Sequence, residues 1–201
     1  MKKYRKWLVS MTCVISFLII GLYLINLNDN LVDKSIYNAI ISLKSNTLTI
    51  FFKIITELAG VKFMILISVI ILLLKKLKYI RYFIVLNLIN DVLLNSLLKI
   101  IFKRERPIGI MLIEETGYSF PSGHTMVATI FYGFIIYLIN KSKYNKKTKI
   151  ILNILLIILI ILIGISRIYL GVHFATDVIA SYLIGISYLI LFTHIIDKYL
   201  E

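Results

Sequence analysis

A chain of 201 residues that is 60% hydrophobic, with a mean hydropathy of +0.93, lies well beyond a soluble domain, in which roughly half the residues are apolar. Its apolar runs are continuous rather than alternating, which excludes a membrane β-barrel and leaves a helical membrane protein. The formal charge of +13 is gathered in alternate connections between those runs, so it marks topology and no nucleic-acid partner is expected.

The first apolar run, about 7–26, follows Lys2, Lys3, Arg5 and Lys6. It is longer than a signal-peptide core and no small-residue cleavage site follows, so it is expected to stay as a transmembrane helix. Cys13 lies inside it and reads as apolar filler; a single cysteine allows no internal disulfide. Residues 27–59 mix apolar positions with Asp33, Lys34, Lys44, Lys53 and Glu57, and their apolar part at 48–56 is too short to span. They read as one or two amphipathic helices on the outer surface or re-entering it. Further spans are expected at about 60–77, 80–102, 122–140, 149–167 and 174–196. Lys75, Lys76, Lys78 and Arg81 fall between the second and third, and Lys141, Lys143, Lys146, Lys147 and Lys149 between the fourth and fifth. The positive-inside rule then puts both termini in the cytoplasm. The expected architecture is an all-α polytopic membrane bundle of six transmembrane helices plus amphipathic outer-face helices. It forms one domain over 1–201, with its motif-bearing core at about 60–196.

This topology brings three polar stretches to the outer face: the end of the third span with 103–121, the start of the fourth, and the turn between the fifth and sixth. Lys99, Lys103, Arg104 and Arg106 cluster in the first. Lys103 and Arg104 read best as cations snorkelling to head groups. Arg167 adds a cation from another helix, and cations converging from two helices suit an anion, arginine through its two-pronged donor fork. Ser122, Gly123 and His124 open the fourth span. Serine is a good N-cap, glycine permits close approach, and the first amides of a helix have no internal partners and face an anion. Pro121 fixes the entry of the chain, and Pro107 stops the third span.

His173 and Asp177 are spaced i, i+4 and share a helix face. A carboxylate there can accept the imidazole Nδ1–H and leave Nε2 free as nucleophile or base; a structural pair that ties the helix down uses the same spacing. Two histidines, one carboxylate and three or more cations at one interface match what phosphoryl transfer requires. There is no carboxylate cluster for a divalent metal. Zinc on two histidines and an aspartate would be repelled by the neighbouring cations. Elsewhere, Asn87, Asn90, Asp91 and Asn95 form a polar stripe expected to tie helices together. His194 reads as an interfacial histidine far from the outer site. Glu114 and Glu115 read as solvated loop residues. Tyr118 and Phe120 could line a lipid tail or anchor the loop.

Lys99-x6-Arg106-Pro107, Pro121-Ser122-Gly123-His124 and Ser166-Arg167-x5-His173-x3-Asp177 together resemble the three-part signature of the type 2 phosphatidic acid phosphatases (PAP2), with order and internal spacing kept. The resemblance is best over about residues 87–186 and only general over the first 60. It implies a helical core of the PAP2 and haloperoxidase kind and a metal-independent lipid phosphatase without a cofactor. His173 would attack phosphorus, Asp177 would orient it, and His124 would protonate the leaving group and then assist water. Lys99, Arg106, Arg167, Ser122 and the Gly123 amide would hold the phosphate oxygens, with Ser166 as a weaker contact. The implied partners are the bilayer and a membrane lipid phosphate; no obligate protein partner is evident. Undecaprenyl diphosphate ranks first as substrate, because an outward-facing site fits recycling of a cell-wall lipid carrier. Phosphatidylglycerol phosphate, phosphatidic acid, or transfer to a hydroxyl other than water are the alternatives. A transporter would be expected to show internal repeats and broken midplane helices, and the sequence shows neither.

Overall fold

The computed structural model describes residues 2–26, 31–109 and 111–200, and the described residues form helices and turns without a strand. In chain order they give α1 (Lys2–Asn26), α2 (Leu31–Ser42), α3 (Asn46–Glu57), α4 (Val61–Leu73), a 3₁₀ turn (Lys75–Leu77), α5 (Ile80–Phe102), α6 (Gly123–Lys141), α7 (Lys146–Tyr169) and α8 (Ala175–Leu200). Five helices are long and apolar enough to cross a bilayer: Tyr4–Ile25 within α1, α5, α6, α7 and Ala175–Tyr199 within α8. The expected spans agree with them closely.

The second span differs from expectation. α4 ends at Leu73 and is too short to cross alone. It passes only together with α3, across a 42° bend. Gly60, with φ −73° and ψ 151°, is extended and breaks the helix there. The apolar stretch 48–56, expected to lie on the outer surface or to re-enter it, thus joins α4 in a bent pair with the length and composition of a broken span or a re-entrant loop. Of the expected surface segment 27–59, residues 27–30 lie outside the described residues.

α6 is the hub of the bundle. Ten consecutive residues, Thr125–Phe134, are buried, and α6 packs against α5, α7 and α8. Phe131, Phe134, Ile163 and Phe192 fill the core. Outward-facing leucines and isoleucines on α1, α5 and α7, such as Leu22, Leu93 and Ile158, are exposed as lipid-facing side chains must be. With no hydrophobic drive between helices inside lipid, polar contacts lock the pairs. Ser10 Oγ meets Ser187 Oγ at 2.8 Å between α1 and α8. Asn87 donates to the Ile130 carbonyl at 3.2 Å, so the asparagine stripe of α5 does tie helices. Asp91, in the same stripe, is buried with Oδ1 unpartnered. His194 meets Trp7 edge-on at 5.3 Å, away from the motif residues.

Four helix ends converge at one end of the bundle: the C-termini of α5 and α7 and the N-termini of α6 and α8. α2 and α3 lie over them, α2 against α7 and α8, and α3 against α7. Tyr169 at the end of α7 receives the Ser45 N–H at 3.1 Å. Ser45 Oγ in turn caps α3 by accepting from the Leu48 N–H at 3.2 Å.

Candidate active site

The turn between α7 and α8 aims His173. Gly171 sits at φ 76°, the left-handed conformation that only glycine adopts without strain. It folds the chain back so that the N–H groups of Val172 and His173 both reach the Arg167 carbonyl at 3.2 Å. His173 is thereby buried, 1% exposed, directly after the helix that carries Arg167. Arg106 Nη1 lies 3.3 Å from His173 Nε2. A guanidinium can only donate, so Nε2 is the acceptor and the neutral ring carries its proton on Nδ1, the side facing Asp177. Burial, then the charges of Arg167, Arg106 and Lys99, hold His173 well below the ordinary imidazole value of 6.5.

Asp177 approaches His173 as its i, i+4 spacing requires, but no hydrogen bond is formed between them. Nδ1 is 3.4 Å from Oδ2 and has no hydrogen-bond partner. The carboxylate is held elsewhere: Oδ2 accepts the Phe174 N–H at 2.9 Å, and Oδ1 accepts from Arg104 Nη1 at 2.5 Å. Arg104 thus differs from the expected snorkelling cation. It turns inward because Asp177 and Asp33 offer it two buried carboxylates.

The phosphate cations meet at Glu115. Arg167, fully buried, donates through Nη2 to Glu115 Oε1 and through Nη1 to Thr56 Oγ1 at 2.7 Å. Arg106 Nη2 is 3.6 Å from Glu115 Oε2 and His124 Nδ1 is 4.0 Å from Oε1. Glu115 therefore departs from the solvated-loop expectation. Arg106 fixes its segment by donating to the carbonyls of Thr116 at 2.9 Å, Gly117 at 3.0 Å and Val172 at 2.9 Å. A further tie runs from the Leu112 N–H to the Leu170 carbonyl at 3.0 Å. Lys99, half-buried at the end of α5, is close enough to feel Arg106, Glu115, Arg167 and Asp177.

The remaining motif residues play quieter parts. Ser122 occupies the N-cap position of α6 but makes no side-chain cap bond. Its Oγ accepts from Thr125 Oγ1 at 3.0 Å instead. A Cβ on Gly123 would come within 3.1 Å of Asn95 Oδ1, so a larger residue here requires the asparagine side chain to give by a few tenths of an ångström. The Ser166 hydroxyl donates to the Ile163 carbonyl at 2.6 Å, its own helix, which leaves it no proton for a phosphate oxygen. Phe120 is fully buried against Phe17 and Phe102 and anchors the loop, whereas Tyr118 is exposed. A cavity of about 430 Å³ is lined by His124, Arg167, Glu115, Thr56 and Lys53. A second, of about 840 Å³, is lined by Arg104, Arg106, Lys34, Phe120 and Phe174. Glu115, Arg104 and Asp33 are the site residues that motif spacing did not reveal.

A buried histidine beside converging arginines, at helix ends of a membrane bundle, is the arrangement the signature leads one to expect of a membrane phosphatase. The PAP2 superfamily model matches residues 80–201, and the chain belongs to that superfamily. Phosphatidylglycerophosphatase B of Bacillus subtilis (strain 168) is 42% identical over 102 residues, 48% of this chain; the match spans about half, 48%, of that protein's length. An undecaprenyl-diphosphatase of Sulfolobus acidocaldarius is 29% identical over 199 residues, covering 92% of this chain and 88% of that protein. Among solved structures, the transmembrane PAP2-type phosphatidylglycerolphosphate phosphatase of Bacillus subtilis superposes with a TM-score of 0.86 at 30% identity, over 96% of this chain and 97% of that one. Aquifex aeolicus LpxE follows with a TM-score of 0.67 at 25% identity, over 84% and 98%.

Proposed function

We propose that the chain is a lipid phosphatase that works through a phosphohistidine. His173 Nε2 attacks phosphorus and forms the P–N bond while the bond to the leaving oxygen breaks, and His124 protonates that oxygen. Water then attacks phosphorus and gives its proton to His124. The P–N bond breaks, releasing inorganic phosphate and free His173. Arg106, Arg167, Lys99 and the first amides of α6 hold the equatorial oxygens, whose charge grows towards the transition state. Asp177 stabilises the charge that His173 gains. The observation that carries this reading is the contact between Arg106 and His173 Nε2, which puts the nucleophilic nitrogen and a phosphate-binding guanidinium within one phosphoryl group of each other.

The basic connections support a cytoplasmic placement of both termini and an outward-facing site. The substrate class is a lipid that ends in a phosphate or diphosphate. Undecaprenyl diphosphate and phosphatidylglycerol phosphate come first, being the substrates in the names of the relatives. The test is phosphate release from a panel of lipid phosphates and diphosphates with EDTA present, for the wild type and His173→Ala in detergent. Release by the wild type and none by a folded variant is the expected result. Substantial release by His173→Ala overturns the nucleophile assignment, and loss of wild-type activity on adding EDTA overturns metal independence.

A further inference from the structure

The helix that carries Asp177 starts without an acceptor side chain at its N-cap position. α8 begins at Ala175, so Phe174 stands at the N-cap, where serine, threonine, aspartate or asparagine would accept an orphan amide. Phenylalanine has no acceptor. The missing oxygen comes from the other end of the chain: Asp33 Oδ1 on α2 accepts the Thr176 N–H at 3.0 Å, and Oδ2 accepts the Thr176 hydroxyl at 2.6 Å. The same Oδ2 receives Arg104 Nη2 at 2.7 Å, while Arg104 Nη1 holds Asp177 Oδ1 at 2.5 Å and Thr176 Oγ1 at 2.8 Å. One guanidinium is thus forked between two carboxylates, and its face covers the Phe174 ring at 4.2 Å. Asp33 is 1% exposed and Asp177 fully buried, so neither carboxylate relies on water.

We infer that Asp33 and Arg104 are positioning residues for the phosphoryl-transfer step. Asp33 fixes the start of α8 and one arm of Arg104, and the other arm holds Asp177 at the angle from which it supports His173. The hydrogen bonds of Arg106 and Arg167 run to other groups, Val172, Thr116, Gly117 and His173 for the first, Thr56 and Glu115 for the second. The amphipathic segment before residue 60, outside the matched family region, therefore belongs to the catalytic apparatus. The inference rests on the phosphatase reading and adds to it a dependence on α2.

Steady-state kinetics of Asp33→Asn, Thr176→Val, Arg104→Lys and Arg104→Gln, each checked for folding by vanadate binding, test it. Asp33→Asn should lower kcat about 10- to 100-fold, as loss of an outer partner of a site residue does, with KM within about threefold of wild type. Thr176→Val keeps the amide and the side-chain volume, and should lose several-fold in kcat alone. Arg104→Gln leaves Asp177 uncompensated beside His173. The other charged groups there, Arg106, Arg167, Lys99 and His124, are unchanged, so the acid limb of kcat/KM should move to higher pH. Arg104→Lys restores the charge without the fork, so the limb should return while kcat stays low. Asp33→Asn and Thr176→Val with kcat within twofold of wild type, or an unmoved limb in Arg104→Gln, overturn the inference. If Asp33→Asn fails to bind vanadate, Thr176→Val decides. A wild type that releases no phosphate fails the parent reading; an active wild type with equally active variants fails only this one.

Discussion

Arg106→Gln separates the electrostatic account of His173 from a purely steric one. Arg106 Nη1 lies 3.3 Å from His173 Nε2, so a proton on that nitrogen would sit against a full positive charge. At this distance the repulsion is about 1.3 kcal/mol in water and about 5 kcal/mol at an effective dielectric of 20, and all of it acts against the protonated ring. The guanidinium charge is spread over three nitrogens, two of them further away, which favours the lower half of that range. His173 is depressed in the folded protein, so it becomes protonated, and useless as a nucleophile, only as pH falls through that lowered value. Removing Arg106 therefore moves the acid limb of kcat/KM to higher pH. Arg106→Lys keeps a charge nearby and should leave the limb near its wild-type position. Both variants also lose a phosphate donor, costing about 10²–10³-fold in rate. The position of the limb remains readable at low rate, and the substrate's own titration is common to all the enzymes and drops out of the difference. Arg167, Lys99, Asp177 and His124 still face the ring in every variant. A limb that stays in place in Arg106→Gln, or moves to lower pH, refutes the argument.

Three further outcomes are expected. His124→Ala should cut turnover of a lipid phosphate far more than that of an aryl phosphate with a good leaving group; equal losses on both would exclude the acid role. Glu115→Gln should tighten inhibition by vanadate about fivefold, because the anion no longer displaces a carboxylate worth ~1 kcal/mol to the arginines; unchanged inhibition constants would show that Glu115 does not compete for that space. Gly164→Ala should destabilise the bundle by about 1–3 kcal/mol, since the new Cβ would lie 1.9 Å from the Tyr182 hydroxyl and 2.9 Å from Val178 Cγ1. That corresponds to a fall of several degrees in the detergent melting temperature, at roughly 2–4 °C per kcal/mol.

What could be read in the sequence is what short spacing fixes. Lys99 and Arg106 flank one helix end, Ser122 to His124 open another, and Arg167, His173 and Asp177 share one helix–turn–helix, so their convergence follows once the span order is known. What escaped depends on long-range placement. Arg104 and Arg106 sit two residues apart in irregular chain, where no periodicity says which side chain turns inward; the partner that decides it, Asp33, lies 71 residues upstream. Glu115 is carried by a loop whose path is set by carbonyl contacts to Arg106, which leave no mark on residue type. The broken second span escaped for a different reason. α3 ends at Glu57 and Gly60 is the N-cap of α4, so a window that begins at the glycine sees only the second half.

The buried Arg167 poses an electrostatic problem of its own. Arg167 is fully buried, and an ionised group out of water needs a partner; within the site Glu115 is the carboxylate that reaches it. On the proposed reading, an incoming phosphate takes over that contact and the one to Arg106, and binding is an exchange of anions. A terminal phosphate near neutral pH carries up to two charges against the carboxylate's one, so the exchange favours it. A phosphodiester such as an ordinary membrane phospholipid carries one, so the exchange gains little and adds the bulk of a second ester arm. On that reading, the carboxylate that partners Arg167 would discriminate against the phosphodiesters that surround the protein in the bilayer. On this physics Glu115→Gln, besides tightening vanadate, should make the enzyme more sensitive to inhibition by anionic phosphodiester lipids. An unchanged response to them would confine Glu115 to neutralising Arg167.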